Sequence, residues 1–218
     1  MFRSLFALLA GITTVSAAEP APRMTRAVLV HGIWQGEGRC FGFLRHDLES
    51  RGVECLVPSL KPADGRDGLE PMAKQLDTEI RKAFGPDESF VLIAFSMGGL
   101  VSRHYLQDLG GAGRCESFIT ISTPHHGTEM AKFHYGRGAA EMRPGSVFLR
   151  DLQLGQSRLG DIPLVSYRTP MDAVIVPSES SVWDRAENVE IPCPLHPLMT
   201  ASLKLRKDVL RRFSYPGR

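Results

Sequence analysis

The sequence carries almost no net charge, since 26 Lys and Arg residues against 24 Asp and Glu residues leave +2 over 218 residues. A balanced chain gives no reason to expect a nucleic-acid partner, because polyanions select strongly basic surfaces. Internal repeats and low-complexity linkers are also missing. A hydrophobic fraction of 43% is enough for a sizeable core. We therefore expect one globular domain.

Long apolar runs are scarce as well, and the one that stands out, residues 5–12, is too short to span a bilayer. Arg3 precedes this run and small residues, including Ala17 and Ala18, follow it. This order is typical of a secretory signal peptide over residues 1–18, cleaved after Ala17 or Ala18. It predicts a secreted or periplasmic protein with residues 19–218 as its mature domain. An uncleaved N-terminal membrane anchor is the alternative.

One stretch of the chain predicts a nucleophile. Residues 90–95 are apolar throughout and read as a strand buried on both faces. Ser96 follows, with Ala94 and Gly98 as small neighbours two positions away, and apolar residues then recur at helical spacing. A strand, a serine and a helix in this order form a nucleophile elbow, usually written G-x-S-x-G. The alternative is that Ser96 is only the N-cap of the helix.

Predicted strands and helices alternate along the rest of the chain. Strands are expected at 27–30, 53–58, 90–95, 118–122, 163–167 and 189–191, and helices at 41–48, 69–84, after Ser96, and at 198–213. This alternation predicts an α/β fold with about six mainly parallel strands and helices on both faces. Ligands bind such sheets beyond the carboxyl ends of the strands. Functional residues should therefore follow strands directly.

A serine nucleophile needs a base and an acid that orients the base, in the chain order serine, acid, histidine. His196 follows every plausible acid and lies in a loop after the last predicted strand. Asp172 follows the fifth strand and is the expected acid, with Glu179 as its competitor. Asp161 precedes that strand and should lie at the opposite edge of the sheet. Asp172 alone could also be explained by an Asx turn.

The loop after the first strand should help to form an oxyanion hole. His31 and Gly32 follow that strand, so we expect the Ile33 amide to supply one donor and the Met97 amide, after the nucleophile, the other. The side chain of His31 should brace this loop.

Two further residues are predicted near the site with open roles. Trp34 reads equally well as a core residue or as a wall of the acyl pocket. His125, together with His126, follows the fourth strand but precedes Asp172. That position favours a structural role or a contact with the substrate over the role of a base.

The four cysteines form no C-x-x-C pair, so a zinc or redox site is not indicated. An exported chain permits disulfides. Cys40 and Cys193 would both lie toward the edge that carries the site, so only this pair could meet, whereas Cys55 and Cys115 would lie at the far edge. The sequence leaves the pairing pattern open.

Several segments together resemble the small bacterial lipases and esterases of the α/β-hydrolase superfamily, in the compact A-x-S-x-G variant. The segments that carry this resemblance are Val30-His31-Gly32-Ile33, Ala94 to Gly99, Thr123 to Thr128, Arg143 to Ser146, and Asp172 with Val176-Pro177. The resemblance implies a minimal α/β-hydrolase domain over 19–218, a Ser96-Asp172-His196 triad, and an Ile33 and Met97 oxyanion hole, with no cofactor and no metal. Two features depart from the family pattern: Pro194-Leu195 stand where a glycine is common, and the first two strands of larger members have no counterpart.

This reading predicts hydrolysis of carboxylic esters, from a small-molecule or lipid substrate, through an acyl-enzyme. An acyltransferase or a deacylase of a lipid-linked sugar would use the same triad, and a catalytically silent binding protein is a third reading. Transient contact with a membrane surface also stays open, as do acyl chain length and oligomeric state. Residues 133–154 are broken by glycines and Pro144 and carry few apolar residues, which predicts no large cap domain.

Overall fold

A computed structural model describes residues 24–35 and 39–214. Its six strands form one sheet in the order β2-β1-β3-β4-β5-β6, and every pair of neighbours is parallel. The strands are β1 Arg26–Val30, β2 Glu54–Leu56, β3 Phe90–Phe95, β4 Cys115–Ile121, β5 Leu164–Arg168 and β6 Glu187–Glu190. The predicted α/β fold is confirmed.

Helices cover both faces of the sheet. They are α1 Gly42–Glu49, α2 Leu69–Phe84, α3 Met97–Asp108, α4 Arg137–Glu141, α5 Val147–Leu154 and α6 Leu203–Ser214. Successive residues of a strand point to opposite faces, so Val28 packs in one core cluster with α2 and α3, and Ala27 packs in the other with α1 and α6. Strand β3 is buried along its whole length between β1 and β4, which explains its unbroken apolar sequence.

Short helical pieces fill the connection from β4 to β5. They are a 3₁₀ helix at Glu129–Phe133, then α4 and α5, and a second 3₁₀ helix at Gly155–Leu159. Helix α5 buries Leu149 and Leu152 against the core beneath α3. These pieces therefore belong to the main layer, and the expectation of no large cap domain is confirmed.

Several element boundaries differ from the sequence prediction: β2 is shorter than expected, and β4 begins at Cys115, three residues early. Strand β6 begins at Glu187, earlier than expected. The last helical segment consists of a 3₁₀ helix at His196–Ala201 and then α6, because Ser202 has an extended ψ of 122° that interrupts it. The loop that leads to His196 is thus shorter than the sequence predicted, because a 3₁₀ helix begins at that residue.

All four cysteines have free thiols, so the Cys40 to Cys193 pairing is not formed. The predicted signal peptide, residues 1–18, lies outside the described residues. Within 24–35 and 39–214, no helix combines the length and the apolar character needed to cross a bilayer.

Candidate active site

Ser96 occupies the turn between β3 and α3, at the carboxyl edge of the sheet. Its backbone has φ 54° and ψ −127°, which is unusual for a residue with a side chain. The Ser96 N–H donates to the Ile121 carbonyl (2.8 Å), and the Thr123 hydroxyl donates to the Ser96 carbonyl (3.1 Å). These bonds to the end of β4 and its following loop hold the turn in its strained form.

Helix α3 begins directly after the serine. The Met97 N–H is the first of the helix and has no intrahelical acceptor, so it presents a free donor and the positive end of the helix dipole beside Ser96. A β-carbon at Gly99 would lie 2.0 Å from the Thr123 hydroxyl oxygen. The glycine is therefore required for the first turn of the helix to pack against the loop after β4.

The loop after β1 lies against the same turn. A β-carbon at Gly32 would lie 3.0 Å from the Ser96 β-carbon, and one at Gly98 would lie 2.6 Å from the Val30 carbonyl oxygen at the end of β1. Ile33, half-buried, follows Gly32 directly. The structure thus places the Ile33 and Met97 segments on either side of Ser96.

His31 braces this loop from inside. Its Nε2 accepts a hydrogen bond from the Leu60 N–H (3.1 Å), so the proton must be on Nδ1, which donates to the Gly32 carbonyl (2.8 Å). The ring is buried, and burial lowers its pKa below the usual value. His31 is therefore held neutral with both nitrogens occupied.

Asp172 and His196 are in direct contact. Asp172 Oδ2 lies 2.7 Å from His196 Nδ1, and Asp172 Oδ1 accepts the N–H groups of Val174 and Ile175 (2.9 Å each). Burial alone would raise the pKa of Asp172, but the His196 contact and the two amides outweigh it and hold the pKa below the usual value. The carboxylate stays ionised and fixes the imidazole so that Nε2 is directed away from it.

His196 also packs next to the nucleophile's strand. Its ring centroid is 4.7 Å from that of Phe95, the residue before Ser96. Among the described residues, the Ser96 hydroxyl makes no hydrogen bond with His196. Catalytic contacts in unliganded enzymes are often long and close when substrate binds.

The competing carboxylates lie elsewhere. Glu179 is exposed and contacts Ser178 and Arg168. Asp161 is exposed in the turn before β5, at the opposite edge of the sheet. Of the three carboxylates considered from the sequence, only Asp172 contacts a histidine within the described chain.

His125 is buried away from the protein surface. Its Nε2 lies 3.1 Å from the Thr120 hydroxyl, its Nδ1 lies 3.4 Å from Arg103 Nη1, and its ring stacks on Trp183 (4.6 Å). Burial, with the nearby Arg103 charge as the next cause, lowers its pKa well below the usual value. These contacts are those of a structural residue, and none of them supports the predicted contact with substrate.

Sequence reasoning missed this interior network. Arg103 is fully buried, stacks over Trp183 (4.6 Å) and donates to the Leu152 carbonyl (3.0 Å). The sequence could have predicted this network, because helical spacing places Arg103 on the apolar face of α3 with Leu100 and Leu106. A buried arginine must find hydrogen-bond acceptors inside the protein.

Large apolar side chains are exposed in several segments that follow strands. Nine of the exposed large ones in the described chain are taken together, from segments that follow β1, β4, β5 and β6: Trp34, Phe43, Phe133, Tyr135, Met171, Val174, Leu195, Leu198 and Leu203. We call this set the apolar rim. Trp34 is 60% exposed and packs edge-on against His134 (5.0 Å), so it belongs to the rim and not to the core.

The described residues contain no group of three or more His, Cys, Asp or Glu side chains placed to hold a metal ion.

The palmitoyl protein thioesterase family model matches residues 27–155, more than half of the chain. The chain belongs to the palmitoyl protein thioesterase family. The matched part of this thioesterase-family protein includes Ile33, Ser96 and Met97 and ends before Asp172 and His196. No curated protein matches the sequence.

Solved structures similar to this thioesterase-family protein include bacterial and fungal lipases. Bacillus licheniformis lipase BlEst2 in its mature form has a TM-score of 0.68 at 16% identity, covering 91% of this chain and 95% of that one. The ydeN gene product of B. subtilis has a TM-score of 0.64 at 16% identity, covering 87% and 98%. Aspergillus fumigatus lipase B has a TM-score of 0.65 at 18% identity, covering 77% and 44%. At these identities the likeness shows a shared fold. Family and fold together identify an α/β-hydrolase.

Proposed function

We propose that this protein hydrolyses carboxylic esters through a covalent acyl-enzyme on Ser96. The observation that carries the proposal is the 2.7 Å contact of His196 Nδ1 with the ionised Asp172, next to a serine on a strained strand-to-helix turn. A serine hydroxyl is a weak nucleophile until a base removes its proton. His196, fixed by Asp172, is the base within the described site that can do so.

The proposed reaction has two halves. His196 Nε2 takes the proton of the Ser96 hydroxyl while Ser96 Oγ attacks the carbonyl carbon, and the imidazolium then gives that proton to the departing alcohol oxygen. Water repeats the sequence on the acyl-enzyme: His196 takes a proton from water, the new C–O bond forms, and the proton returns to Ser96 as the acid leaves.

The amides of Ile33 and Met97 are the proposed donors to the tetrahedral oxyanion. They flank Ser96 because Gly32 and Gly98 permit the loop after β1 and the start of α3 to touch. The loss of one such donor typically costs about 3 to 4 kcal/mol of transition-state stabilisation. The close approach that Gly32 and Gly98 permit is therefore expected to contribute to the rate.

The apolar rim favours a substrate with an apolar acyl group. Its members lie in segments that follow strands, as Ser96 does, and Trp34 directly follows Ile33. Exposed apolar groups around a site commonly mark contact with a lipid or membrane surface. We propose that lipid esters bind there and that the protein touches a membrane surface transiently, without a lid to open.

A thioester is the second candidate substrate class, and the family match favours it. The same acyl-enzyme forms whether an alcohol or a thiol leaves. Paired oxyester and thioester substrates with one acyl group, tested over short to long chains, separate the two. Faster turnover of the thioester at every chain length would make thioester hydrolysis the main activity.

The test of ester hydrolysis uses wild-type protein and Ser96→Ala. The rate of ester hydrolysis by wild type should rise smoothly with ester concentration and then saturate. It should not jump at the solubility limit of the ester, because no cap domain covers the site. Folded Ser96→Ala should lose turnover almost completely. Equal turnover by the two proteins would refute the proposal, and a sharp rise in rate at the solubility limit would refute the open site.

A further inference from the structure

Thr169 joins the segment that carries Asp172 to the segment that carries His196. It directly follows β5 and is fully buried. Its hydroxyl donates to the Cys193 carbonyl (2.7 Å) and accepts the Cys193 N–H (3.2 Å). Cys193 lies three residues before His196. The Thr169 side chain is thus hydrogen-bonded to both backbone polar groups of Cys193, in the segment that carries His196.

The same hydroxyl also orders the aspartate turn. Thr169 Oγ1 accepts the Met171 N–H (3.3 Å), and the Thr169 carbonyl accepts the Asp172 N–H (3.3 Å). A hydroxyl can donate one hydrogen bond and accept two, so Thr169 Oγ1 uses its full capacity. All of these bonds lie within the two segments that carry the acid and the base.

We propose that Thr169 is a positioning residue that sets the alignment of Asp172 with His196; this inference rests on the proposed function. The Asp172 to His196 contact joins two loops that follow different strands, β5 and β6. Thr169 provides a fixed hydrogen-bonded link between these loops at their base. Its side chain is fully buried and acts on the substrate only through the Asp172–His196 pair.

Thr169→Val is the decisive variant, since valine keeps the shape of the side chain and removes all three hydrogen bonds of the hydroxyl. The cost should be about tenfold to a hundredfold in kcat at unchanged KM, the range expected when a remote change misplaces a catalytic group. A looser aspartate stabilises the imidazolium less, so the acid limb of the kcat/KM profile should move to lower pH. Thr169→Ser should restore both quantities toward wild type.

Thr120→Val is the matched control. Thr120 is equally buried, on β4, and its hydroxyl lies within hydrogen-bond distance of the Ser166 hydroxyl (3.0 Å) and the Val165 carbonyl (3.3 Å). This variant should lower stability without moving the acid limb. Titration of active sites with a phosphonate corrects every rate for protein that is not folded.

A second readout needs no substrate. The His196 Nδ1 proton, held by Asp172, should give a proton NMR signal far downfield in wild type, Thr169→Ser and Thr120→Val, and Thr169→Val should lose or broaden it. A Thr169→Val protein with wild-type kcat per active site, or with an unchanged downfield signal, would overturn the inference. If wild type hydrolyses no ester, the proposed function fails, while the NMR comparison still decides the role of Thr169.

Discussion

The backbone of Gly98 touches the carbonyl oxygen of His31, at a distance that leaves no room for a side chain. A β-carbon on Gly98 would stand 2.4 Å from that oxygen and 2.6 Å from the Val30 carbonyl oxygen. This contact joins the end of β1 to the first turn of α3. It keeps both proposed oxyanion donors, the amides of Ile33 and Met97, at fixed positions beside Ser96.

Gly98→Ala should therefore damage both the fold and the site. Because the β-carbon meets backbone atoms that cannot rotate away, we expect about 1 to 3 kcal/mol loss in the free energy of unfolding and a large loss of kcat. Gly42→Ala, with nothing within 4 Å of the new methyl group, is the control. It should keep full activity and gain a fraction of a kcal/mol, because alanine suits helix α1 better. Chemical denaturation and ester hydrolysis measure both effects, and wild-type behaviour of Gly98→Ala would show that the contact is unimportant.

Asp172→Asn should lower kcat by about 10⁴, because an amide cannot hold the imidazole in the productive tautomer or stabilise its charged form. Asp161→Asn is the matched change at the amino edge of β5 and should leave kcat nearly unchanged. Both are scored by ester turnover at equal amounts of folded protein. Similar losses in the two variants would mean that the acid has been assigned to the wrong residue.

Acid should destabilise the protein from about neutral pH downwards. Burial holds the pKa of His31 below the usual 6.5 and that of His125 well below it, so the unfolded chain binds protons that the folded chain does not. The stability that these neutral rings contribute is complete above pH 6.5 and is lost as pH falls toward their folded-state pKa values, at up to about 1.4 kcal/mol per pH unit for each proton.

Denaturation between pH 7.5 and 5 checks this expectation. The free energy of unfolding should fall with pH more steeply in wild type than in His125→Gln, which removes one buried titrating ring. His46→Gln, on the exposed side of α1, is the control for the exchange of a histidine for glutamine. An identical slope for His125→Gln and wild type would show that His125 does not couple folding to protons.

Local sequence patterns predicted the strands, the serine turn and the edge on which the site residues lie. Strand β3 could be recognised because a strand buried on both faces leaves an unbroken apolar run, and Ser96 because crowding around the turn demands small neighbours such as Ala94 and Gly98. Asp172 could be preferred to Asp161 as the acid because a residue that follows a parallel strand lies at the carboxyl edge of the sheet, whereas a residue that precedes the strand lies at the amino edge.

Contacts between distant segments were not visible in the sequence. The order of the strands, the Thr169 link to Cys193 and the stacking of Arg103 and His125 on Trp183 depend on which loops meet, and no local periodicity records that. His125 illustrates the limit. Its position after β4 predicted the correct edge of the sheet, but its burial could not be predicted, because the ring is covered by Trp183, from the segment between β5 and β6.

The N-terminal segment should be removed on export. If residues 1–18 are a signal peptide, N-terminal sequencing of the exported protein should begin at Ala18 or Glu19, after the small residues that follow the apolar run. Ala17→Asp, which places a charge at the expected cleavage position, should slow processing. Full-length protein that retains Met1 in the membrane fraction would favour the anchor.

The most direct test of the account is the site of covalent modification by a serine-reactive phosphonate ester, located by mass spectrometry. The account predicts one adduct on Ser96, formed at a rate that falls sharply in Asp172→Asn and absent in Ser96→Ala. A folded wild-type protein that forms no adduct, or that is modified at another residue while Ser96 stays free, would contradict it.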